Sequence, residues 1–424
     1  MALQHLGFTY SQNDVFNASG LEPMLARGCH AGDLAKAMMK LGFDPGTGWF
    51  TCPTNHLAAT VSQQWAALLA DLKAGIPSVV CMYSDDGADA TEHFRLVVGF
   101  DPETVEVIFH EPAVDGGAYR RMPLGLFTKI WPLRTVTRDR CFIRFACHPK
   151  NIAKPPAAPR GFTSADFAQH MMALKKNVPE VADRFDIVIE NPFVVIGDLP
   201  QTDLKIYAEK TVRWTVKMLK QDFFTNSPDE IIDIWLFKNS ASYTNNTKML
   251  VGRAPTTPYG FYEDEKHALI MNIKTGGGTL VHEIVHPFMH ANFPSCPAWF
   301  NEGLASLYEQ SGERNGHIVG GTNWRLRGLK DAIEEKRLPN FKALTATTED
   351  EFYNADRGDN YAQARYLCYY LQEHGLLTKF YHAFENNSAD DPTGYATLVA
   401  TLGEKDMADF QKRFENYVAT LHFP

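Results

Sequence analysis

Apolar and polar positions change their period several times along the chain. Helical spacing predicts helices over residues 31–41 (AGDLAKAMMKL) and 56–74. Three short β-rich runs follow at 78–83, 93–100 and 105–109, separated by turn residues. Consecutive strands without helices between them favour an antiparallel sheet. A further strand-like run, CFIRFAC, leads into HPKNIAKPPAAPRGF, which holds four prolines and reads as a linker. Beyond it, two apolar runs within 184–199 are split by Glu190-Asn191-Pro192, and a helix is predicted over 203–219. Residues 231–237 (IIDIWLF) and 267–273 (HALIMNI) read as strands. From Thr279 onward the pattern is almost wholly helical. The fold class is therefore α+β in two domains, residues 1–148 and 163–424, joined by a proline-rich linker at 149–162.

Composition narrows the function. The chain has 424 residues, 45% apolar and 21% charged, as a globular protein with a full core does. A net charge of −9 argues against nucleic acid as the main partner. The seven cysteines include no C-x-x-C pair, against both a disulfide framework and a thiolate zinc cluster. No basic-then-apolar leader opens the chain and no run approaches 18 apolar residues. The expectation is a cytoplasmic protein with no membrane partner; nothing in the sequence sets its oligomeric state.

The chemistry concentrates in His282-Glu283-Ile284-Val285-His286. On a helix, residues four apart share a face, so two imidazoles can converge on one metal ion with Glu283 beside them to take a proton. Gly276-Gly277-Gly278 precedes the run and Thr279 is placed to cap the helix. Fifteen residues after His286, WFNEGLASLYE carries Glu302 on a second apolar helix. A carboxylate facing inward needs a partner, and a zinc ion would supply one. Two histidines and one carboxylate leave a fourth zinc position open, as hydrolysis needs. Pro287 follows directly; it removes the hydrogen bond to the Glu283 carbonyl, and the helix is expected to kink or end there. His290 reads as a surface residue or an outer support.

HEIVH together with WFNEGLASLYE resembles the gluzincin (peptidase MA-like) zinc metallopeptidases, over about residues 184–424. The resemblance implies Zn2+ held by His282, His286 and Glu302, Glu283 as general base, and peptide-bond hydrolysis by a metal-activated water. It implies a peptide or protein substrate, and HALIMNI as a strand that pairs with it along a free edge. Tyr361, opening YAQARYLCYYLQEHG, would donate to the oxyanion or simply pack.

The first domain, from AALLADLKAGIPSVVCMYSDDG to LFTKIW, resembles the papain-like peptidases that process bacteriocin leaders. His93 and Glu111 match the histidine and its orienting acid, with Glu where Asp is usual. Gln12 and Ser19-Gly20 match the oxyanion glutamine and the Cys-Gly positions, with one extra residue between. Serine in a site built for a thiolate is poorly activated, so the domain reads as inactive or peptide-binding. Cys29 is the other candidate nucleophile. Two alternatives thus stand beside the zinc peptidase: a peptide-binding pseudoenzyme with a structural zinc, and a cysteine peptidase acting through the first domain.

Overall fold

The computed structural model describes residues 2–153, 161–354 and 358–423. It divides into two compact units, Met1–Met172 and Ala173–Pro424. The core of the proline-rich linker, residues 154–160, lies outside the described residues. Among those described, no helix is long and apolar enough to cross a membrane.

The first unit is α+β. The strands of its main sheet are β1 (Trp49–Cys52), β2 (Ser78–Tyr83), β3 (Glu92–Asp101), β4 (Glu106–His110), β5 (Arg120–Pro123), β6 (Leu133–Arg134) and β7 (Arg140–Ala146). They form one sheet in the order β1-β7-β2-β3-β4-β5, with β6 on β7, and every pair is antiparallel as expected. The helices are α1 (Gln12–Ser19), α2 (Ala31–Lys40), α3 (Leu57–Lys73) and α4 (Leu124–Ile130). Leu68 of α3 and Phe127 of α4 share a core with Val80, Val97, Phe109 and Trp131, all buried. The β3–β4–β5 register sets His93 and Glu111 at one end of this layer.

The second unit is built on a five-stranded mixed sheet. Its strands are β8 (Asp186–Glu190), β9 (Phe193–Gly197), β10 (Ile232–Phe237), β11 (Gly260–Glu263) and β12 (Ala268–Asn272), in the order β8-β9-β10-β12-β11. The β9–β10 and β10–β12 pairs are parallel and the two outer pairs antiparallel. All six side chains of β10 and all five of β12 are buried, which is why both read as unbroken apolar runs. One expectation is corrected here. HALIMNI is not an edge, because β12 has a partner on each side; the edge beside it is β11.

A long helical stretch follows β9, from Gln201–Tyr207 through a π turn at Ala208–Arg213 into Trp214–Asp222. The helices that matter for chemistry are α5 (Gly278–Asn292), α6 (Ala298–Leu307), α7 (Glu349–Asn354) and α8 (Asp359–Glu373). α5 does not end at Pro287 but runs through it. The ring costs one hydrogen bond, while Leu280, Val281, Ile284, Val285, Phe288 and Met289 bury the face on both sides of it. Thr279 is not the cap either: the helix starts one residue earlier, with Gly277 at the N-cap.

Gly278 explains that start. A Cβ there would overlap the backbone carbonyl of Glu309, so only glycine lets the two segments approach this closely. Gly303 plays a similar part in α6, where a Cβ would meet the Ala364 carbonyl at 3.0 Å and the Cys368 sulfur at 3.1 Å. The fully buried Arg365 of α8 donates to the Ser306 carbonyl at 3.0 Å, covering the end of α6. The region after Thr279 is not wholly helical. A hairpin, β13 (Ser311–Arg314) and β14 (His317–Gly320), turns at Asn315-Gly316, both at positive φ. Asn-Gly between short strands is a strong hairpin signal.

Candidate active site

α5 presents His282 and His286 from one face, their ring centroids 5.0 Å apart. α6 brings Glu302 opposite them. One ligating atom from each of the three residues lies within 4.8 Å of the others. His282 and Glu302 are buried and His286 is half-buried. Glu302 Oε2 stands 3.3 Å from His282 Nε2, yet neither Oε2 nor His282 Nδ1 has a hydrogen-bond partner. Buried polar atoms are rarely left so. Two imidazoles and a carboxylate form a donor set that suits Zn2+ with one position to spare, and a cation there would satisfy the orphaned oxygen.

The local field points the same way. Burial works against a charged His282, but Glu302, Glu283 and Glu309 outweigh it and raise the imidazole to about 9. Burial likewise opposes charge on Glu302, yet His282, His286 and Tyr353 hold its carboxyl down to about 2. The cluster draws positive charge to its centre.

Three supporting residues went unread in the sequence. Asn301 Oδ1 lies 3.0 Å from His286 Nδ1 and fixes that ring. Glu309 Oε1 lies 3.5 Å from His282 Nδ1. Its carboxylate is held by Arg325 at 2.9 Å and Asn323 at 2.8 Å. The Tyr353 hydroxyl donates to Glu302 Oε1 at 2.8 Å. Partners of this kind orient metal-binding side chains.

An open cleft of about 1130 Å³ runs along the site. His282, Glu283, Tyr259, Gly260, Arg325 and Tyr361 are among its walls. Glu283 is half-buried on the same helix as the histidines. Tyr361 packs 4.9 Å from Phe352, with the Arg325 guanidinium 5.2 Å from its ring centre. Burial, then Glu302, pushes its hydroxyl up, so it stays a donor near neutral pH. His290 is exposed, one turn beyond His286.

In the first unit His93 Nε2 hydrogen-bonds Glu111 Oε1, and Arg95 Nε donates to Glu111 Oε2 at 2.9 Å. Burial opposes the Glu111 charge, but the Ala113 amide, His93 and Arg95 carry its pKa below the usual value. A cleft of about 520 Å³ surrounds the pair, and no cysteine is among its described lining residues, nor are Gln12 or Ser19. Gln12 opens α1 and Ser19 closes it. The Ser19 hydroxyl donates to the Phe16 carbonyl and accepts from the Leu21 amide at 3.2 Å. Cys29 precedes α2; burial and Asp33 push its thiol up against the opposing Arg27. The structure brings His93 and Glu111 together, but neither Ser19 nor Cys29 is among the described residues that line their cleft.

Comparison with protein families gives two matches. Residues 1–136 match the Peptidase_C39 like family. Residues 278–393 match a protein family of unknown function, DUF1570. No curated protein matches the chain. The first match supports a papain-like domain at the N-terminus and a peptidase hydrolase acting on peptides or proteins. It favours the cysteine-peptidase alternative. The second spans His282, His286, Glu302, Tyr353 and Tyr361 and names no activity, so neither match supports the gluzincin resemblance or zinc dependence.

Proposed function

We propose that the chain is a peptidase whose hydrolytic centre is the cleft of its second unit, with His282, His286 and Glu302 as ligands of Zn2+. The observation that carries this reading is the convergence of one ligating atom from each of those three side chains within 4.8 Å, beside a cleft that His282 and Glu283 line. A zinc ion bound there would polarise the scissile carbonyl and acidify a water. The chain's own residues do the rest. Glu283 accepts a proton from the attacking water and returns it to the leaving nitrogen, so one C–O bond forms as the C–N bond breaks. Tyr361, held protonated, donates to the carbonyl oxygen as negative charge develops. The edge strand β11, which starts at the cleft-lining Gly260, offers a line along which an extended substrate would lie.

The experiment is hydrolysis of a denatured protein or peptide library by the full chain, with and without o-phenanthroline or iodoacetamide. Inhibition by the chelator, and loss of activity with retained zinc in Glu283→Gln, is the expected result. A second reading rests on the Peptidase_C39 like match and the His93–Glu111 pair: a cysteine peptidase in the first unit. Inhibition by iodoacetamide alone would select it.

A further inference from the structure

Tyr353 lies outside every motif the sequence displays, yet its hydroxyl donates to Glu302 Oε1 at 2.8 Å. Its setting is fixed. α7 is six residues long, and Thr348 and Glu351 close its start reciprocally: the Thr348 amide and hydroxyl each donate to Glu351 Oε2 at 2.9 Å, and the Glu351 amide donates back to the Thr348 hydroxyl at 3.3 Å. Phe352 is 1% exposed and pins the helix to the core, against Tyr361. Tyr353 itself is 43% exposed, so its ring stands at the surface with only its hydroxyl end turned to the buried carboxylate.

The two Glu302 oxygens are thereby made unequal. Oε1 is occupied by Tyr353, while Oε2 is buried without a donor, 3.3 Å from His282 Nε2. A carboxylate with both oxygens free can close on a cation through both. One oxygen engaged by a fixed donor leaves the other to act alone. Resting on the zinc-site reading above, we infer that Tyr353 is a positioning residue that restricts Glu302 to ligation through Oε2, keeping a coordination position for water and substrate.

The test replaces zinc by Co2+ in the full chain and reads the visible absorption, whose intensity falls as coordination number rises. Tyr353→Phe deletes only the hydroxyl; circular dichroism checks its fold, and Tyr361→Phe serves as the comparison. The expected result is a clear loss of cobalt absorption intensity in Tyr353→Phe alone. It should come with a fall in kcat on the order of 10-fold, larger than any change in KM. Unchanged spectra and metal affinity in Tyr353→Phe would overturn the inference and leave the zinc site standing. The same spectral change in Tyr361→Phe would overturn it too, since loss of any hydroxyl near the site would then suffice. Failure of the parent to bind Co2+ or Zn2+ would overturn both this inference and the zinc-site reading.

Discussion

Glu309 Oε1 stands 3.5 Å from Nδ1 of His282, while Glu302 Oε2 faces Nε2 of the same ring at 3.3 Å. The imidazole lies between two carboxylates, one placed to share a cation and one setting its negative charge behind the ring. Glu309→Gln keeps the size and the bond from Asn323 but removes the charge. Zinc affinity, measured by competition with a chromophoric chelator, is expected to fall by roughly 10- to 100-fold. An unchanged affinity would show that Glu309 serves only Arg325 and Asn323.

Gly278→Ala reverses an ordinary rule. In an exposed helix the change stabilises by about 1 kcal/mol. Here the added methyl meets the Glu309 carbonyl, and the expected outcome is destabilisation by about 1–3 kcal/mol with weakened zinc binding. Thermal unfolding with and without zinc measures both; a stabilised variant would contradict the close approach described.

Pro287→Ala restores the amide that the Glu283 carbonyl lacks. Because α5 is continuous through this position, the substitution should stabilise the chain by about 2 kcal/mol. Zinc affinity should stay within a few-fold, since Asn301 rather than the proline fixes the His286 ring. A large drop in affinity would instead make the proline part of the histidine's aim.

Glu111 predicts an acid limb for the first unit. Its pKa is depressed in the folded chain, so its contribution is fully present above the unfolded value near 4.5 and is lost as pH falls through the folded value. Glu111→Gln should lower the unfolding temperature at neutral pH, and the gap from the parent should narrow below about pH 4.5. A gap that is constant from pH 7 to 3 would remove the charge from the explanation.

How much of this was legible depended on distance along the chain. HEIVH and WFNE are local patterns on single helices, so periodicity alone placed His282, His286 and Glu302 on apolar faces. Glu309 was readable in principle: it lies seven residues after Glu302, in the 3-10 turn Tyr308–Gln310 that follows α6. Asn301 sits beside Glu302 and could have been found by asking what holds His286. Tyr353 could not, because its approach to Glu302 depends on a short helix about fifty residues downstream, and sixteen tyrosines offered no reason to prefer it. The edge strand β11 was missed because its three side chains, Phe261, Tyr262 and Glu263, are all only half-buried and give no clean alternation. The hairpin at Asn315-Gly316 did carry its signal, drowned by the helices around it. In the first unit the resemblance to papain-like peptidases paired His93 with Glu111, whereas the path of residues 12–29 depends on packing that no local pattern encodes.

Ser19 closes α1, and that orientation has a chemical consequence. The carbonyl end of a helix carries partial negative charge, while thiolates are stabilised by the opposite, amide end. A single exchange of Ser19 for cysteine would set a thiol where the backbone's polarity resists its ionisation, its side chain already turned to local turn-closing bonds. Cysteine chemistry at position 19 would require rewinding the segment so that a helix begins there instead of finishing there.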